Sequence, residues 1–508
     1  MDLYSRASRV GFALHMPPRG PLQNDHKPVR WPRVRIVFAA AEVAPYAKVG
    51  GLADVAGSLP QALAALGHHV SVHLPLHGTI DRTRFGIPAD AITRSVPYGH
   101  AHIRVAFPSI VHGGVRIVFV DNAQHIGRPA VYGAPDDAKR YAVFARAVAE
   151  DLAQGGDRPD VVHAHDWHAA LLVAMCAGPY RRALGGPATA FTIHNLAYRG
   201  QSGVDVLDLV GLPKKHVLPE KHGELDPMAR AIASADVVST VSERYAEEIL
   251  TPEFGNGLQD LLTDRRDDLW GIVNGIDVDV FDPFTDPHIP AHYSAVDMRG
   301  KAEDKGGLQK ELGLAFSPSA PLFGVIGRLV EQKGIDILTP VAPEIIGSGA
   351  QIAVLGTGEA RYEAMWKELA ERHRGALSLT LGFDAALAQR IYAGSDMFLM
   401  PSRFEPCGLG QLISFRYGTV PVVRAVGGLA DTVRDADADA RQGTGFSFAD
   451  YAAPALADAV RRAVRAYRDD ARWHALRTRV MGLDHSWAAS ARRYVEMYEG
   501  AIRRARAA

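Results

Sequence analysis

The sequence predicts an α/β protein of two lobes, each a mostly parallel sheet flanked by helices. Three observations carry that expectation. Short apolar runs that end in polar or glycine-rich loops recur along the chain; residues 34–40, 160–165, 190–194, 322–327, 351–355 and 396–400 are the clearest. Such continuous runs belong to strands buried on both faces. The 508 residues exceed what one ordinary core encloses. Residues 281–290 are rich in Pro and Asp, a linker composition, and fall between two series of such runs.

Residues 1–31, with Pro17-Pro18 and Arg19-Gly20, read as a disordered leader. Residues 34–40 form the first strand. Glu42 follows, then Lys48, Gly50, Gly51 and Asp54, and a helix through residues 58–66. A Gly pair between strand and helix lets backbone approach a ligand closely. Lys48 adds a point charge suited to phosphate, and Asp54 stands near the helix start. Residues 70–74 form the next strand. Residues 103–107 and 115–120 are expected to pair as a hairpin around His112-Gly113-Gly114. A helix covers 137–152.

Residues 160–168 pass from strand to loop and carry His163, His165, Asp166, Trp167 and His168. His-x-His suggests a metal pair. No carboxylate or Cys set completes a tetrahedral site, so no metal is expected and the histidines read as buried and hydrogen-bonded. His194 and Asn195 repeat the pattern at the end of the 190–194 strand. Residues 236–242 are another strand with a polar end, and Asn274-Gly275 closes the lobe, either as a ligand contact or as a turn.

The second lobe opens with a charged helix at 301–312 and a strand at 322–327. Arg328 and Lys333 emerge just past that strand's end. Two cations there suit a diphosphate, and the guanidinium can fork two oxygens. Residues 351–355 end in Gly356-Thr-Gly358, and residues 379–383 end in Phe383. The 396–400 strand leads into Pro-Ser402-Arg-Phe-Glu405-Pro-Cys407-Gly408-Leu409-Gly410-Gln411 and a helix over 409–417. Glu405 hangs off the strand end. The following amides point out of a helix N-terminus, where orphan N–H groups and the dipole favour an anion. One loop thus offers a carboxylate for hydroxyls and a cradle for phosphate, a combination that suits a nucleotide sugar. A second glycine loop, Val426-Gly427-Gly428-Leu429, follows the 420–423 strand. Asp435-x-Asp437-x-Asp439 mimics a metal motif and is read as a solvated acidic loop. The tail helix, 487–504, carries apolar Trp487, Tyr494, Met497 and Ile502.

Lys and Arg total 56 against 57 Asp and Glu, a net charge of -1, so bulk charge supports no nucleic-acid partner. The 2 cysteines, Cys176 and Cys407, form no framework, and a reducing cytoplasm is the simpler expectation. No apolar run is long enough to span a bilayer.

The loop from Ser402 to Leu409 resembles the signature loop of bacterial glycogen synthases and plant starch synthases. The Lys48-Val-Gly50-Gly51-Leu52 loop, the 160–168 and 190–200 blocks, the Arg328–Lys333 pair and the 426–433 loop agree with that family in order and spacing. The similarity runs from residue 33 to about residue 498. It implies the GT-B architecture: two Rossmann-like domains facing across a cleft, at 32–280 and 318–485, joined through 281–317, with the last helix, 486–504, crossing back to the first. It implies transfer of glucose from ADP-glucose to the non-reducing end of an α-1,4-glucan, with retention and without a cofactor.

By the same resemblance, His194, Arg328, Lys333 and Glu405 are catalytic. Lys48, Gly50, Gly51, Asp54, Asp166, Asn195 and Asn274 meet the donor from the first lobe, and Phe383, Cys407, Gly408 and Leu409 from the second. Glu42 and Trp167 meet the glucan. Phe383 stands where relatives place a base-stacking Tyr; stacking and ordinary core packing are both open for it. Gly410 and Val426 replace threonines, which removes side-chain hydroxyls while leaving backbone amides for phosphate. The 222–230 stretch departs from the family, and Ile413 stands where other retaining transferases carry a second acid. The alternatives are a UDP-glucose-dependent or small-glucoside-forming transferase of the same fold, a glucan-binding protein without catalysis, and a zinc hydrolase built on His163, His165 and His168.

Overall fold

The computed structural model describes residues 33–156, 158–212 and 224–507. The leader and the first residues of the 222–230 stretch lie outside them. The strands, in chain order, are β1 (Arg35–Ala39), β2 (His69–Pro75), β3 (Ile92–Tyr98), β4 (Ala101–Phe107), β5 (Ser109–His112), β6 (Val115–Val120), β7 (Val161–His165), β8 (Ala188–Ile193), β9 (Ser202–Gly203), β10 (Glu224–Leu225), β11 (Val237–Thr240) and β12 (Leu269–Gly271). The second lobe continues with β13 (Leu322–Ile326), β14 (Gln351–Gly356), β15 (Leu377–Leu381), β16 (Met397–Met400), β17 (Val420–Arg424) and β18 (Phe446–Phe448).

The first lobe's sheet runs β12-β11-β8-β7-β1-β2-β6-β5. All its pairs are parallel except β5 with β6. The second sheet, β15-β14-β13-β16-β17-β18, is wholly parallel. Its order is the doubly wound 3-2-1-4-5-6, and the first sheet repeats that order about β1. Each sheet therefore has a switch point where the strand order reverses, between β1 and β7 in one and between β13 and β16 in the other. β7 and β8 are buried along their whole length, as strands covered on both faces must be.

The expected hairpin forms differently. β5, not β4, turns back on β6 across Gly113-Gly114. β4 pairs with β3 in a separate antiparallel ribbon. β4 alternates apolar and polar residues over most of its length while β5 is only Ser-Ile-Val-His, but the nearer strand takes the short turn. The helix expected from residue 58 begins at Gly51, so the Gly pair is its N-terminus rather than a loop ahead of it. The Pro- and Asp-rich stretch after residue 280 is packed rather than loose. Ile289 and Tyr293 are buried in the second lobe's core, and the Tyr417 hydroxyl donates to Asp286 at 2.5 Å. The aspartates of 435–439 are likewise structural: Arg462 donates to Asp435 at 2.8 Å and to Asp437 at 3.2 Å, and Arg472 to Asp437 at 2.6 Å.

The last helix, Trp487–Ala507, returns to the first lobe. Its apolar face lies on the helix Gly51–Ala65 and on β8. The chain makes this crossing beside its first one, with Ile276 N donating to the His485 carbonyl at 2.8 Å. Deep in the first lobe, Tyr498 Oη and His163 Nδ1 share a hydrogen bond of 2.8 Å, while His163 Nε2 meets Thr192 Oγ1 at 2.6 Å. Both ring nitrogens of a fully buried histidine are thereby satisfied. Tyr498→Phe leaves one unpaired, and we expect a loss of about 1–3 kcal/mol in stability by urea unfolding. An unchanged midpoint would show that the returning helix is not anchored through His163.

Candidate active site

The candidate residues lie past the carboxyl ends of parallel strands. Glu42, Asp166, Arg328, Lys333 and Glu405 stand at the two switch points, where open α/β sheets bind ligands, and His194, Asn274 and Phe383 past β8, β12 and β15. In the first lobe, Glu42 follows β1 and Asp166 follows β7. Glu42 is buried. Its carboxylate accepts the amides of Val49 at 2.5 Å and Gly50 at 2.7 Å, and the Tyr132 hydroxyl. Both oxygens are engaged, so Glu42 holds the glycine loop in place. Lys48 pairs with Asp54 at 2.6 Å, and the lysine is partly exposed. Burial raises the Asp54 carboxyl above its usual range, opposed by Lys48.

Asp166 has φ 54, the left-handed region, and its side chain turns over the end of β8. Oδ1 accepts the amides of His194 at 2.7 Å and Asn195 at 3.4 Å. Burial pushes its carboxyl up to about 7, against those two amides. His194 is half-buried, and its Nε2 lies 2.9 Å from His165 Nδ1. Desolvation lowers the His194 ring to about 3, so it is neutral. Trp167 packs edge-on against Tyr141 at 5.3 Å and over His168 at 4.1 Å. Asn274 is buried with its side-chain oxygen unpartnered. Among the described residues, no three His, Cys, Asp or Glu side chains converge as a metal cluster; the nitrogens of His163 are taken by Tyr498 and Thr192.

In the second lobe, Arg328 and Lys333 follow β13, and Glu405 follows β16, across the other switch point. Lys333 Nζ donates to Glu405 at 2.6 Å, and Ser402 Oγ donates to the same oxygen at 2.9 Å. Gly334, with φ +73, follows Lys333, and a Cβ there would lie 2.0 Å from the Pro401 carbonyl. This close approach brings the Lys333 turn against the strand end that bears Glu405. Arg328 is held by Gln332 at 2.8 Å. The amides of Gly408 and Leu409 have no acceptor among the described residues. Burial raises the Cys407 thiol to about 12, so it stays protonated, and its carbonyl accepts from Gln411 Nε2 at 3.0 Å. Phe383 is 83% exposed, which excludes core packing for it. Gly51, at the start of the first lobe's helix, faces Leu409, whose Cδ1 is 3.6 Å from a Cβ built there. The two loops thus meet across the cleft.

The second glycine loop does not offer free amides. Gly427 N donates to Glu248 at 3.0 and 3.1 Å, and Gly428 N to the carbonyls of Glu405 at 3.1 Å and Pro406 at 3.2 Å. The amides expected to be left for phosphate at 427 and 428 are engaged by protein instead. Gly410 has a packing reason: a Cβ there would lie 2.8 Å from Phe398.

Sequence reasoning passed over Tyr132 and its support. Arg140 is buried, and it donates to the carbonyls of Ile126 at 3.0 Å, Ala130 at 3.0 Å and Val131 at 3.1 Å. It thereby shapes the loop that carries Tyr132. The available signal was a cation at helical spacing with Phe144 and Val148, on the apolar face of its helix. His165, Ser402 and Glu248 were also unassigned.

Two doubly wound sheets with an anion-suited loop and a carboxylate at one switch point, and a polar strand end at the other, form the architecture of a GT-B glycosyltransferase. Residues 35–264 match the family model described as starch synthase catalytic domain, and residues 320–466 match that of glycosyl transferases group 1. A glycogen synthase of Geotalea uraniireducens is 42% identical over 93% of this chain and 99% of its own length. One of Anaeromyxobacter sp. (strain Fw109-5) is 45% identical over 92% and 99%. The catalytic domain of starch synthase IV from Arabidopsis thaliana, described as bound to ADP and acarbose, superposes with a TM-score of 0.87 at 34% identity, over 93% of this chain and 100% of that one. The chain belongs to the glycogen synthase and starch synthase family of glycosyltransferases.

The raised Asp166 carboxyl sets a pH test. Unfolded, it ionises near 3.8; folded, at about 7. Between those values the native state keeps a proton that the unfolded chain has lost, so this group's contribution to stability falls as pH rises. Asn cannot ionise, tolerates a left-handed φ and can accept the same amides. We expect Asp166→Asn to gain on the parent by at least about 1 kcal/mol between about pH 5 and about pH 8 in urea unfolding. A difference that does not change with pH would contradict the burial argument.

Proposed function

We propose that the protein elongates an α-1,4-glucan by transferring glucose from ADP-glucose to the 4-hydroxyl at a non-reducing end, with retention, in the cytoplasm. The observation that carries this is the set at the second switch point: Arg328 and Lys333 past β13, Glu405 past β16, and the open amides of Gly408 and Leu409 beside them. The described relative that holds ADP and acarbose supports the substrate pair. The second lobe takes the nucleotide, with Phe383 for the base. The first lobe takes the glucan, near Trp167 and the Glu42-braced loop. Among the described residues, no helix is long and apolar enough to cross a membrane.

Breaking the glycosyl–phosphate bond leaves negative charge on the diphosphate and positive charge on the sugar. Arg328, Lys333 and the loop amides stabilise the first without a metal. Glu405, held by Lys333 and Ser402, receives sugar hydroxyls beside the reacting carbon. Approach of the Lys48 loop to Leu409 excludes water and so limits hydrolysis. Retention through a covalent intermediate needs a carboxylate on the far face of the ring. Ile413 supplies none, and Glu405 is engaged with hydroxyls, so departure and attack share one face with the diphosphate as base.

With glycogen present, we expect ADP release from ADP-glucose to exceed UDP release from UDP-glucose. Replacing both Arg328 and Lys333 by Gln should lower kcat by roughly 100-fold or more, with the fold intact by circular dichroism. Equal turnover of the two donors would refute the donor assignment, and an unimpaired double variant would refute the charge mechanism.

A further inference from the structure

His165 lies one residue before Asp166 and is fully buried at the end of β7. Its ring stacks on Phe38 at 5.1 Å and lies 4.1 Å from His163, centroid to centroid. It has two nitrogens with unlike surroundings. Nδ1 meets His194 Nε2 at 2.9 Å. Nε2 is buried without any partner. On the other ring of the pair, His194 Nδ1 has no protein partner among the described residues, and it is not sealed off.

Desolvation holds both rings neutral, so each carries one proton and the bond between them has one direction. If His194 donated, the His165 proton would sit on Nε2, a buried N–H with no acceptor. Orphaned buried N–H groups are rare, and leaving a buried donor unmade is costly. If His165 donates, its Nε2 keeps only a bare lone pair. His194 then accepts on Nε2 and must hold its own proton on Nδ1, the edge open to the cleft.

We propose that His165 is a positioning residue that fixes His194 in the Nδ1–H form, so that His194 presents a hydrogen-bond donor, not a base, to the sugar nucleotide. The inference rests on the proposed placement of substrate at His194. It assigns His194 to an oxygen that gains electron density or offers a lone pair. It also denies His194 the task of taking the acceptor's proton, which leaves that proton to the departing diphosphate.

The test has two arms on the full-length enzyme. Long-range 15N–1H correlation spectra of histidine-labelled protein should show both His165 and His194 protonated at Nδ1; a His165 proton at Nε2 overturns the proposal, whatever the substrate is. In kinetics, His165→Asn keeps an N–H donor near the Nδ1 position, and His165→Phe keeps the ring packing but no donor. Asn should retain kcat within about threefold, and Phe should lose roughly tenfold or more in kcat with a smaller change in the donor's KM. In a His194→Ala background the Phe substitution should cost nothing further. A folded Phe variant as active as the parent, or a loss that persists undiminished without His194, overturns the proposal. A parent that does not turn over ADP-glucose refutes the donor assignment alone, and the spectra still decide the proton's position.

Discussion

The buried carboxyl of Asp166 ties together the strand ends at the first lobe's working edge. Strand ends in a parallel sheet expose amides that need acceptors, and Asp166 supplies one by bending its own backbone into the left-handed region and reaching over to the next strand. Two strand ends are tied at the same point, and the histidine that follows β8 is fixed relative to the one that ends β7. Low water content at this edge follows from the same burial. It makes the Asp166 carboxyl hard to ionise and the His165 and His194 imidazoles hard to charge.

The second lobe is built on the opposite principle. Its switch point concentrates charge: Lys333 against Glu405, with Arg328 close behind. A pair so placed holds the lysine and the carboxyl oriented toward each other. Glu405 is buried and only Lys333 is partly exposed, so their attraction is less screened than that of a surface pair. It strengthens as the cleft loses water. The two edges therefore differ in kind: one gathers hydrogen-bonded groups that resist charging around Asp166 and His194, the other sets a lysine against a carboxyl.

Much of this was legible in the sequence because strands buried on both faces leave continuous apolar runs, and the polar residues at their ends stand out against them. Asp166, His194, Arg328 and Glu405 all follow such runs, although for Asp166 and His194 it is the family resemblance rather than the pattern that singles them out as candidates. What was not legible depends on contacts between distant segments. The short, non-alternating β5 gives no strand signal of its own, so the alternating β4 looks like the partner of β6. The Asp435 loop looks solvated until Arg462 is brought beside it by a helix 27 residues on. Phe383 is an apolar residue at a strand end, and only the fold shows it standing in solvent. Arg140 and Tyr132 act through the backbone carbonyls and the carboxylate they meet, and neither leaves a motif.

The exchange at Val426 shows how a local departure and a distant residue can be one feature. A helix N-terminus needs an acceptor for its first amides, and Val426, at the N-cap of Gly427–Thr432, has none to give. Glu248 of the other lobe accepts from Gly427 with both oxygens. Gly427 has φ +46 and stands against the Glu405 carbonyl, so the capped turn also buttresses the loop that carries the catalytic candidate. Asp431 on the same short helix accepts the Arg244 amide at 2.9 Å, and Ser242 donates to the Pro406 carbonyl at 2.6 Å. The missing hydroxyl at 426 therefore does not weaken the second glycine loop. An N-cap hydroxyl serves the second or third amide, and here the second, Gly428 N, is taken by the Glu405 and Pro406 carbonyls; Glu248 takes the first, which ties the Glu405 loop to the other lobe. Separating the lobes breaks the Glu248, Ser242 and Asp431 bonds, whereas the contact of Gly427 with the Glu405 carbonyl lies within the second lobe and survives.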